Sequence, residues 1–305
     1  MPPPRARRPD PRGAAPRPEA PPIVRRHRPT PPGGHSVYAV HPGALPSGVW
    51  SGVADALPAD TGFAVLDLAG VPAYFEAALS GGHSDLTVAS LVARLTEELR
   101  ADRAAGPRAA RTTFAGWSFG GVLAQSMTEE LEPAERPDRL VLLDSIAPTD
   151  AYQQADDALD PPMLLRWFAM YLGAKRNRTV SLGPGGTAGL DIDTGLVRIL
   201  DAAVDCGALA AGTPLPGLRK LYDTYVDGLL RNNRLTATHR PVPSSVPLAL
   251  IKATHSLILG DDTLGWQELA PHGLDLRRPA PGDHYTMLIR PDAAAAIAEV
   301  VRPPR

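Results

Sequence analysis

Residues 112–131 of this chain read TTFAGWSFGGVLAQSMTEEL, and they are the most informative part of the sequence. Residues 112–116 begin with two β-branched residues and an aromatic one and predict a strand, whereas residues 121–131 predict a helix. Between them lies Gly116-Trp117-Ser118-Phe119-Gly120, a G-x-S-x-G motif. A tight strand-to-helix turn of this kind exposes the central hydroxyl above the sheet, and it needs glycines where side chains would collide. The motif therefore predicts that Ser118 is a nucleophile.

The same alternation of strand and helix continues on both sides of this stretch. Strands are predicted at 36–40, 63–68, 140–144, 246–252 and 274–278, and helices at 86–100 and 292–301. Ser84 or Asp85 is expected to cap the first of these helices. Such alternation is typical of an α/β fold with a mostly parallel sheet covered by helices.

Residues 149–240 interrupt the alternation. Helices are predicted there at 163–173, 193–204 and 215–231, around a glycine-rich loop. A helical insertion in a parallel-sheet protein usually covers the carboxyl edge of the strands, where ligands bind. We therefore interpret this segment as a lid.

Proline and positive charge are concentrated at the amino terminus. Residues 1–34 contain 12 prolines and 8 arginines, but only two acidic residues and few large aliphatic ones. Such a segment buries too little apolar surface to offset the entropy lost on ordering. We expect residues 1–34 to be a disordered tail or linker and residues 35–305 to form one large domain.

The overall composition argues against several classes of function. The 31 Lys and Arg residues against 33 Asp and Glu residues give a formal net charge of −2, which offers no case for nucleic-acid binding. No apolar run is long enough for a membrane span, and the single cysteine, Cys206, cannot form an internal disulfide. The histidines lack metal-ligand spacing, and no phosphate-binding loop indicates a nucleotide cofactor. We expect a cytoplasmic protein without a metal or cofactor.

A serine nucleophile needs a base that is itself oriented by an acid. On this fold the three residues follow the chain order Ser, then Asp or Glu, then His. Asp144 ends the strand after the predicted nucleophile helix, and His284 follows the last predicted strand, so both belong at the carboxyl edge of the sheet. Asp261 and Asp262 are alternative acids, and His41 is an alternative base.

An oxyanion hole requires two backbone N–H groups directed at the tetrahedral oxygen. Phe119 directly follows the nucleophile, and Gly43 is the better candidate in the loop after the first core strand. Trp117 is expected to pack beneath the turn. The lid aromatics Trp167, Phe168 and Tyr171 either line a substrate channel or attach the lid to the body.

Four segments together resemble the thioesterase domains that end nonribosomal peptide and polyketide assembly lines. They are SVYAVHPGALPSGVW (36–50), FAGWSFGGVLAQSM (114–127), RLVLLDSIAP (139–148) and PGDHYTML (281–288). The resemblance covers roughly residues 36–302 and includes Gly265-Trp266 before the final strand. It implies an α/β-hydrolase fold with a helical lid.

In that family, a serine takes an acyl chain from the phosphopantetheine thioester of a carrier protein, and water or an internal nucleophile releases it. The resemblance implies that Ser118, Asp144 and His284 form the triad and that Gly43 and Phe119 are the oxyanion donors. It also implies an acyl or peptidyl carrier protein as partner, with no cofactor held by the enzyme.

Stand-alone editing thioesterases usually carry a GHSMG-type motif and place the acid after the lid. This chain has GWSFGG and places Asp144 before the lid, which favours chain release. Relatives often have paired glycines after the His-Pro step, whereas Gly43-Ala44 stands here. A small-molecule serine esterase or acyltransferase of the same fold and a non-catalytic scaffold remain alternatives. The sequence leaves the acyl chain, and the choice between hydrolysis and cyclisation, open.

Overall fold

The computed structural model describes residues 20–79, 85–153, 155–156 and 159–302. Its strands are β1 (Val24–Arg28), β2 (His35–His41), β3 (Thr61–Asp67), β4 (Arg111–Trp117), β5 (Arg139–Leu143), β6 (Leu248–Ile251), β7 (Ala253–His255), β8 (Leu274–Leu276) and β9 (Ala280–Asp283). Its helices are α1 (Ser51–Ala56), α2 (Pro72–Leu79), α3 (Val88–Ala105), α4 (Phe119–Glu130), α5 (Pro161–Lys175), α6 (Ile192–Asp205), α7 (Leu215–Thr238) and α8 (Pro291–Val301).

The central sheet has the strand order β1-β3-β2-β4-β5-β6-β8. From β3 to β8 all neighbours pair in parallel, and β1 alone pairs antiparallel, at one edge. Every residue of β2, β3 and β5 is buried, because helices cover both faces of the sheet. The mostly parallel sheet predicted from the alternation is confirmed.

Two hydrophobic clusters lie on opposite faces of this sheet. Val37 of β2 packs into the cluster that contains α1, α8 and the helices of the insertion, while its neighbour Tyr38 packs into the cluster that contains α3 and α4. This alternation follows from the two-residue period of a strand. The carboxyl ends of β4 and β5 are thereby held side by side, with Trp117 paired to Leu143.

The expectation of a disordered segment through residue 34 is wrong for Val24–Arg28. These residues pair with β3 as edge strand β1, and Ile23 before them is buried. Arg28 donates hydrogen bonds to the carbonyl groups of Ala54 and Leu57 at the end of α1. The expectation rested on the average composition of residues 1–34, which does not reveal a strand of five residues. The charged side chains of this strand are typical of the exposed edge of a sheet. Residues 1–19 lie outside the described residues.

Helix α3 is capped by Thr87, two residues after the predicted Asp85. The Thr87 hydroxyl accepts from the Ser90 N–H at 3.0 Å, and the Ser90 hydroxyl accepts from the Thr87 N–H at 3.1 Å. This reciprocal pair occupies two N–H groups of the first turn, which Asp85 is too far along the chain to reach. Ser84, the other predicted cap, lies outside the described residues.

The three helices predicted between 149 and 240 are present as α5, α6 and α7, between β5 and β6. A second difference from prediction lies downstream: His284 follows β9, which pairs in parallel with β7 in a separate ribbon, rather than following β8 directly. Within the part of the chain that the structure describes, no helix is both long and apolar enough to cross a bilayer.

Candidate active site

Ser118 lies in the turn between β4 and α4 with a strained backbone. Its φ is 55° and its ψ is −130°, a conformation that a residue with a side chain rarely adopts. The Ser118 N–H donates to the carbonyl of Leu143 at the end of β5 (3.0 Å), and its own carbonyl accepts from the Gly121 N–H (3.0 Å). These bonds hold the predicted nucleophile at the carboxyl edge of the sheet.

Glycine is required on both sides of Ser118 because backbone passes too close for a Cβ atom. A Cβ on Gly116 would lie 2.4 Å from the carbonyl oxygen of Gly120, and one on Gly120 would lie 2.2 Å from that of Val40. A Cβ on Gly121 would lie 2.2 Å from Ser145 Oγ. The glycines of the motif therefore allow β2, β4 and α4 to pack closely together at the nucleophile.

Asp144 and His284 form a direct hydrogen bond across the carboxyl edge. His284 Nδ1 lies 2.7 Å from Asp144 Oδ2, and both side chains are almost completely buried. The second oxygen, Asp144 Oδ1, accepts from the Ala253 N–H at 3.1 Å. A carboxylate only accepts, so Nδ1 carries the proton in this bond and Nε2 of the neutral ring is left as an acceptor.

The loop that carries His284 is held by its own turn. Asp283 Oδ1 accepts from the N–H groups of Tyr285 and Thr286 at 2.9 Å each. Gly282 has a φ of 108°, and a Cβ there would lie 2.7 Å from Thr286 Oγ1. The residues Pro281-Gly282-Asp283 thus build a compact turn that presents the imidazole.

Trp117 packs beneath the turn, as expected. Its indole N–H donates to the carbonyl of His284 at 2.9 Å, and the two rings lie 5.1 Å apart. The same indole stacks on His41 at 5.6 Å. Trp117, the residue directly before Ser118, therefore links the His284 loop to His41 at the end of β2.

His41 is not available as a base. Its Nδ1 accepts from the indole N–H of Trp50 at 3.2 Å, so its Nε2 must donate to the carbonyl of Leu45 at 2.7 Å. Burial lowers the pKa of His41 below its ordinary value and favours the neutral ring. Instead, His41 closes the loop that follows β2, the loop of the second candidate oxyanion donor.

Gly43 lies in the loop after β2, and Phe119 directly follows Ser118 as the first residue of α4. Gly43 has a φ of 90°, and a Cβ there would lie 3.0 Å from the Phe75 ring of α2. Its neighbours Pro42 and Ala44 line the same cavity as Ser118. Phe119 begins α4, where backbone N–H groups point away from the helix and favour negative charge.

The alternative acids have other partners. Asp261 accepts from Tyr152, Thr263 and Gly265, and these bonds outweigh the effect of burial and lower the pKa of Asp261 to about 2. Asp262 is exposed and lies 3.6 Å from Lys252. The turn that Asp261 builds presents Trp266, whose indole N–H donates to the carbonyl of Ser145 at 2.8 Å.

Two cavities meet at Ser118. One, of about 190 Å³, is lined by Ser118 and by apolar side chains that include Met163 and Trp167. The other, of about 290 Å³, is lined by Ser118 and His284 together with several tyrosines and two cationic side chains. Leu229 and Asn232 of α7 and Leu257 line both cavities. The arrangement can hold two parts of a substrate on either side of one hydroxyl.

The lid aromatics divide between the two expected roles. Trp167 lines the smaller cavity and Tyr171 the larger one. Phe168 is fully buried and packs on Tyr222 and Tyr225 of α7, with ring centroids 5.3 and 5.6 Å apart. Thus Trp167 and Tyr171 line the site, and Phe168, which lies between them in the chain, packs α5 against α7.

Sequence reasoning missed a cluster beside the nucleophile. Tyr74 of α2 stacks parallel to Phe119 at 6.3 Å, and the Arg231 guanidinium lies 3.5 Å from the Tyr74 ring centre. Asn232 accepts from the Tyr74 hydroxyl at 2.8 Å. Tyr74 and Arg231 are far apart in the chain and share no motif, so no signal in the sequence pointed to this contact. Within the described ranges, no group of three or more metal-binding side chains occurs.

A family model described as a thioesterase domain matches residues 74–182. Among solved structures, a similar one is a four-domain nonribosomal peptide synthetase bound to AMP and glycine, with 21% identity and a TM-score of 0.60. The match covers 92% of this chain and 20% of that one, so this chain spans about a fifth of the length of the synthetase. No curated protein sequence matches this chain.

Two further similar structures are of single thioesterases. The NocB thioesterase domain, in a covalent complex with a fluorophosphonate nocardicin G analogue, has 23% identity and a TM-score of 0.54, covering 91% of this chain and 98% of that one. The type II thioesterase BorB, from the borrelidin biosynthetic cluster, has 16% identity and a TM-score of 0.52, covering 92% and 96%. The resemblance to thioesterase domains and the α/β-hydrolase fold are thereby confirmed.

Proposed function

We propose, from its resemblance to thioesterase domains in sequence and fold, that this chain releases acyl or peptidyl chains from carrier-protein thioesters through a covalent intermediate on Ser118. The observation that carries the proposal is the 2.7 Å bond between His284 Nδ1 and Asp144 Oδ2, in a cavity that Ser118 also lines. The partner is an acyl or peptidyl carrier protein whose phosphopantetheine arm presents the thioester.

The first half of the reaction transfers the acyl group to the enzyme. His284 Nε2 takes the proton as Ser118 Oγ attacks the thioester carbonyl, and Asp144 stabilises the imidazolium that forms. The N–H groups of Phe119 and of the Gly43 loop stabilise the tetrahedral oxyanion. The bond from carbon to sulfur then breaks, and His284 returns the proton to the departing pantetheine thiol.

The second half frees the product. Water, or a hydroxyl or amine within the acyl chain, attacks the ester carbonyl as His284 takes its proton. The bond from the carbonyl carbon to Ser118 Oγ then breaks, and His284 returns the proton to Oγ. Water gives a free acid, and an internal nucleophile gives a lactone or lactam. Because the same groups serve both nucleophiles, the filling of the two cavities decides which one reaches the ester.

Chain release is preferred over editing because Asp144 follows β5, before the insertion, and this residue bonds His284. The similarity to BorB keeps editing as a second candidate. An editing enzyme would hydrolyse carrier-bound acetyl groups faster than carrier-bound peptidyl chains, and a chain-releasing enzyme would show the reverse preference.

The proposal is tested with Ser118→Ala. We expect the variant to fold and to lose turnover of acyl-pantetheine thioesters by at least about 10³-fold, because no hydroxyl remains to be acylated. Intact-protein mass should show a covalent adduct with a serine-directed fluorophosphonate in the wild type and none in the variant. Undiminished turnover in Ser118→Ala would overturn the proposal.

A further inference from the structure

The larger cavity at Ser118 is lined by two cationic side chains that have no carboxylate partner among the residues the structure describes. They are Arg231, on α7, and Lys175, the last residue of α5. Asp144, the carboxylate of the proposed triad, does not line this cavity, and it is hydrogen-bonded to His284. The cavity therefore carries an excess of positive charge beside the nucleophile.

Arg231 is the deeper of the two, with only 6% of its surface exposed. Its Nη1 donates to the carbonyl of Tyr74 at 3.0 Å and its Nε to Asn232 Oδ1 at 3.2 Å. A guanidinium has five N–H donors, so these bonds leave Nη2 and further donors unused. Burial lowers the pKa of Arg231, and the electrostatic attraction of the Tyr74 hydroxyl opposes the shift only in part.

The surroundings leave room for a ligand next to the unused donors. Gly228 also lines the cavity, and a Cβ there would find Arg231 Nη2 as its nearest neighbour, 3.9 Å away. Glycine in the interior of a helix is unfavourable relative to alanine, so its presence opens space on the cavity side of α7. Lys175 is exposed, and its Nζ donates to the Tyr171 hydroxyl at 3.1 Å and lies 5.1 Å from the centre of the same ring.

We propose that this cavity binds a carboxylate of the acyl or peptidyl chain that is attached to Ser118, which makes acidic acyl thioesters the substrate class. Arg231 binds the carboxylate through its planar fork, and Lys175 attracts it at the rim. This inference rests on the proposed function, since it assigns the substrate of the same site.

A carboxylate on the acyl chain fits better than the phosphate of the phosphopantetheine arm. The phosphate is separated from the thioester by the whole pantetheine chain. Arg231 instead lines the same cavity as Ser118. It also stacks on Tyr74, which stacks on Phe119, the residue after Ser118. A buried cation is costly unless it is paired, so the substrate is the group that completes the pair.

The test compares two pantetheine thioesters of equal length. Adipoyl-pantetheine ends in a carboxylate and adipamoyl-pantetheine in a neutral carboxamide. We expect the wild type to favour the acid by about ten- to a hundredfold in kcat/KM, the range for hydrogen bonds to charged groups. In Arg231→Gln the ratio should fall towards one, and in Lys175→Gln it should fall less.

Arg219→Gln is the matched control. Arg219 is also on α7 but is exposed and pairs with Asp193 and Asp223, so its loss should leave the ratio unchanged. If Arg231→Gln fails to fold, as thermal unfolding would reveal, the exposed Lys175 carries the test. A wild-type ratio at or below one, or an undiminished ratio in Lys175→Gln, overturns the proposal.

Two further arms separate the possible outcomes. The same acyl groups on phosphopantetheine test the phosphate: the proposal is wrong if Arg231→Gln changes the preference for the phosphorylated arm and leaves the preference for the acid. Calorimetric binding of both thioesters to Ser118→Ala gives a readout without turnover. Preferential binding of the acid there supports the site even if acylation of Ser118, and hence the proposed function, fails.

Discussion

Asp144 and Asp261 lie near the same edge of the sheet, and their hydrogen bonds give them different tasks. Asp144 has a φ of 43° and divides its two oxygens between Ala253 N–H and His284 Nδ1. Asp261 uses its oxygens within its own turn and on Tyr152. A carboxylate whose acceptor positions are occupied by local donors cannot also orient an imidazole, so the contacts distinguish an acid that acts on the base from one that builds a loop.

Asp144→Asn tests this division. The asparagine can still contact Ala253 and His284, but an amide no longer holds the proton on Nδ1 or stabilises the imidazolium. We expect kcat to fall by about 10⁴-fold with little change in the thermal unfolding midpoint. Asp262→Asn is the matched control: its ion pair is exposed, so kcat should remain within twofold. Comparable losses in the two variants would contradict the assignment of the acid.

At this scale, the sequence was informative where a residue stands at the end of a predicted strand. The position of Asp144 at the end of a predicted strand favours it over Asp261 and Asp262 as the acid, and its contact with His284 is consistent with that prediction. Arg231 gave no such signal, since its stacking on Tyr74 joins residues 157 positions apart. A lone arginine on an amphipathic helix looks the same in sequence whether it faces solvent or a cavity.

At the scale of elements, the turn around Ser118 depends on close approach between backbones. β2 and α4 meet at Gly120, whose missing side chain allows the carbonyl of Val40 to approach. The same packing places the loop after β2, with Gly43, next to the start of α4. The geometry of the candidate oxyanion hole and the stability of the fold therefore depend on the same glycines.

Gly120→Ala should lower the stability of the fold and disturb the geometry of the candidate oxyanion hole. The added Cβ would lie 2.2 Å from a carbonyl oxygen, so backbone has to shift, and overpacking of this kind costs about 1–3 kcal/mol in the free energy of unfolding. Urea denaturation measures this loss, and kcat should fall with it. Gly217→Ala, in α7, is the control, since its Cβ would meet nothing nearer than 3.9 Å and alanine favours a helix. Equal stability of Gly120→Ala and the wild type would contradict the argument.

Helix α7 shows how one element can serve the site in several ways. Leu229 and Asn232 line both cavities, and Arg231 lines the larger one. The hydroxyl groups of Tyr225 and Tyr285 share a hydrogen bond of 2.7 Å. Sequence periodicity predicted this helix and most of its length. It could not show that successive side chains near its middle face the nucleophile, because that depends on how the insertion docks on the sheet.

At the scale of the whole molecule, several histidines link stability to pH: His35 and His41 are buried, and His27 and His239 are partly buried. Burial lowers the pKa of His27, His35, His41 and His239, and it lowers that of His35 to about 4. An unfolded histidine titrates near 6.5, so between these values the unfolded chain binds a proton that the folded chain does not. Stability is therefore fully present above about pH 6.5 and declines as the pH falls towards 4.

His35→Gln isolates one part of this dependence. From pH 7 to pH 5 the wild type should lose about 2 kcal/mol more of its free energy of unfolding than the variant, because only the wild type has this imidazole to protonate on unfolding. Urea denaturation at the two pH values gives the difference. His272→Gln, at an exposed position, should show the same loss as the wild type. A His35→Gln variant as sensitive to acid as the wild type would contradict the prediction.

The order of the longer strands and helices, the serine turn and the identity of its candidate partners followed from the sequence, because they depend on short-range effects. The short elements α1, α2, β7 and β9 were not predicted. Periodicity sets each element, and steric limits confine a strained turn to residues with neighbouring glycines. The same local reasoning failed at Val24–Arg28, where a strand exists because β3 offers an unpaired edge.

Which side chains meet depends on the tertiary packing. The packing brings Asp144 to His284, places two cavities at Ser118, and buries Arg231 without a carboxylate partner among the residues that the structure describes. These contacts join residues more than a hundred positions apart, and their geometry depends on the packing of complete helices and strands. Local sequence carries the preference of each residue for an element, whereas the distance between two elements is a property of the whole packed core.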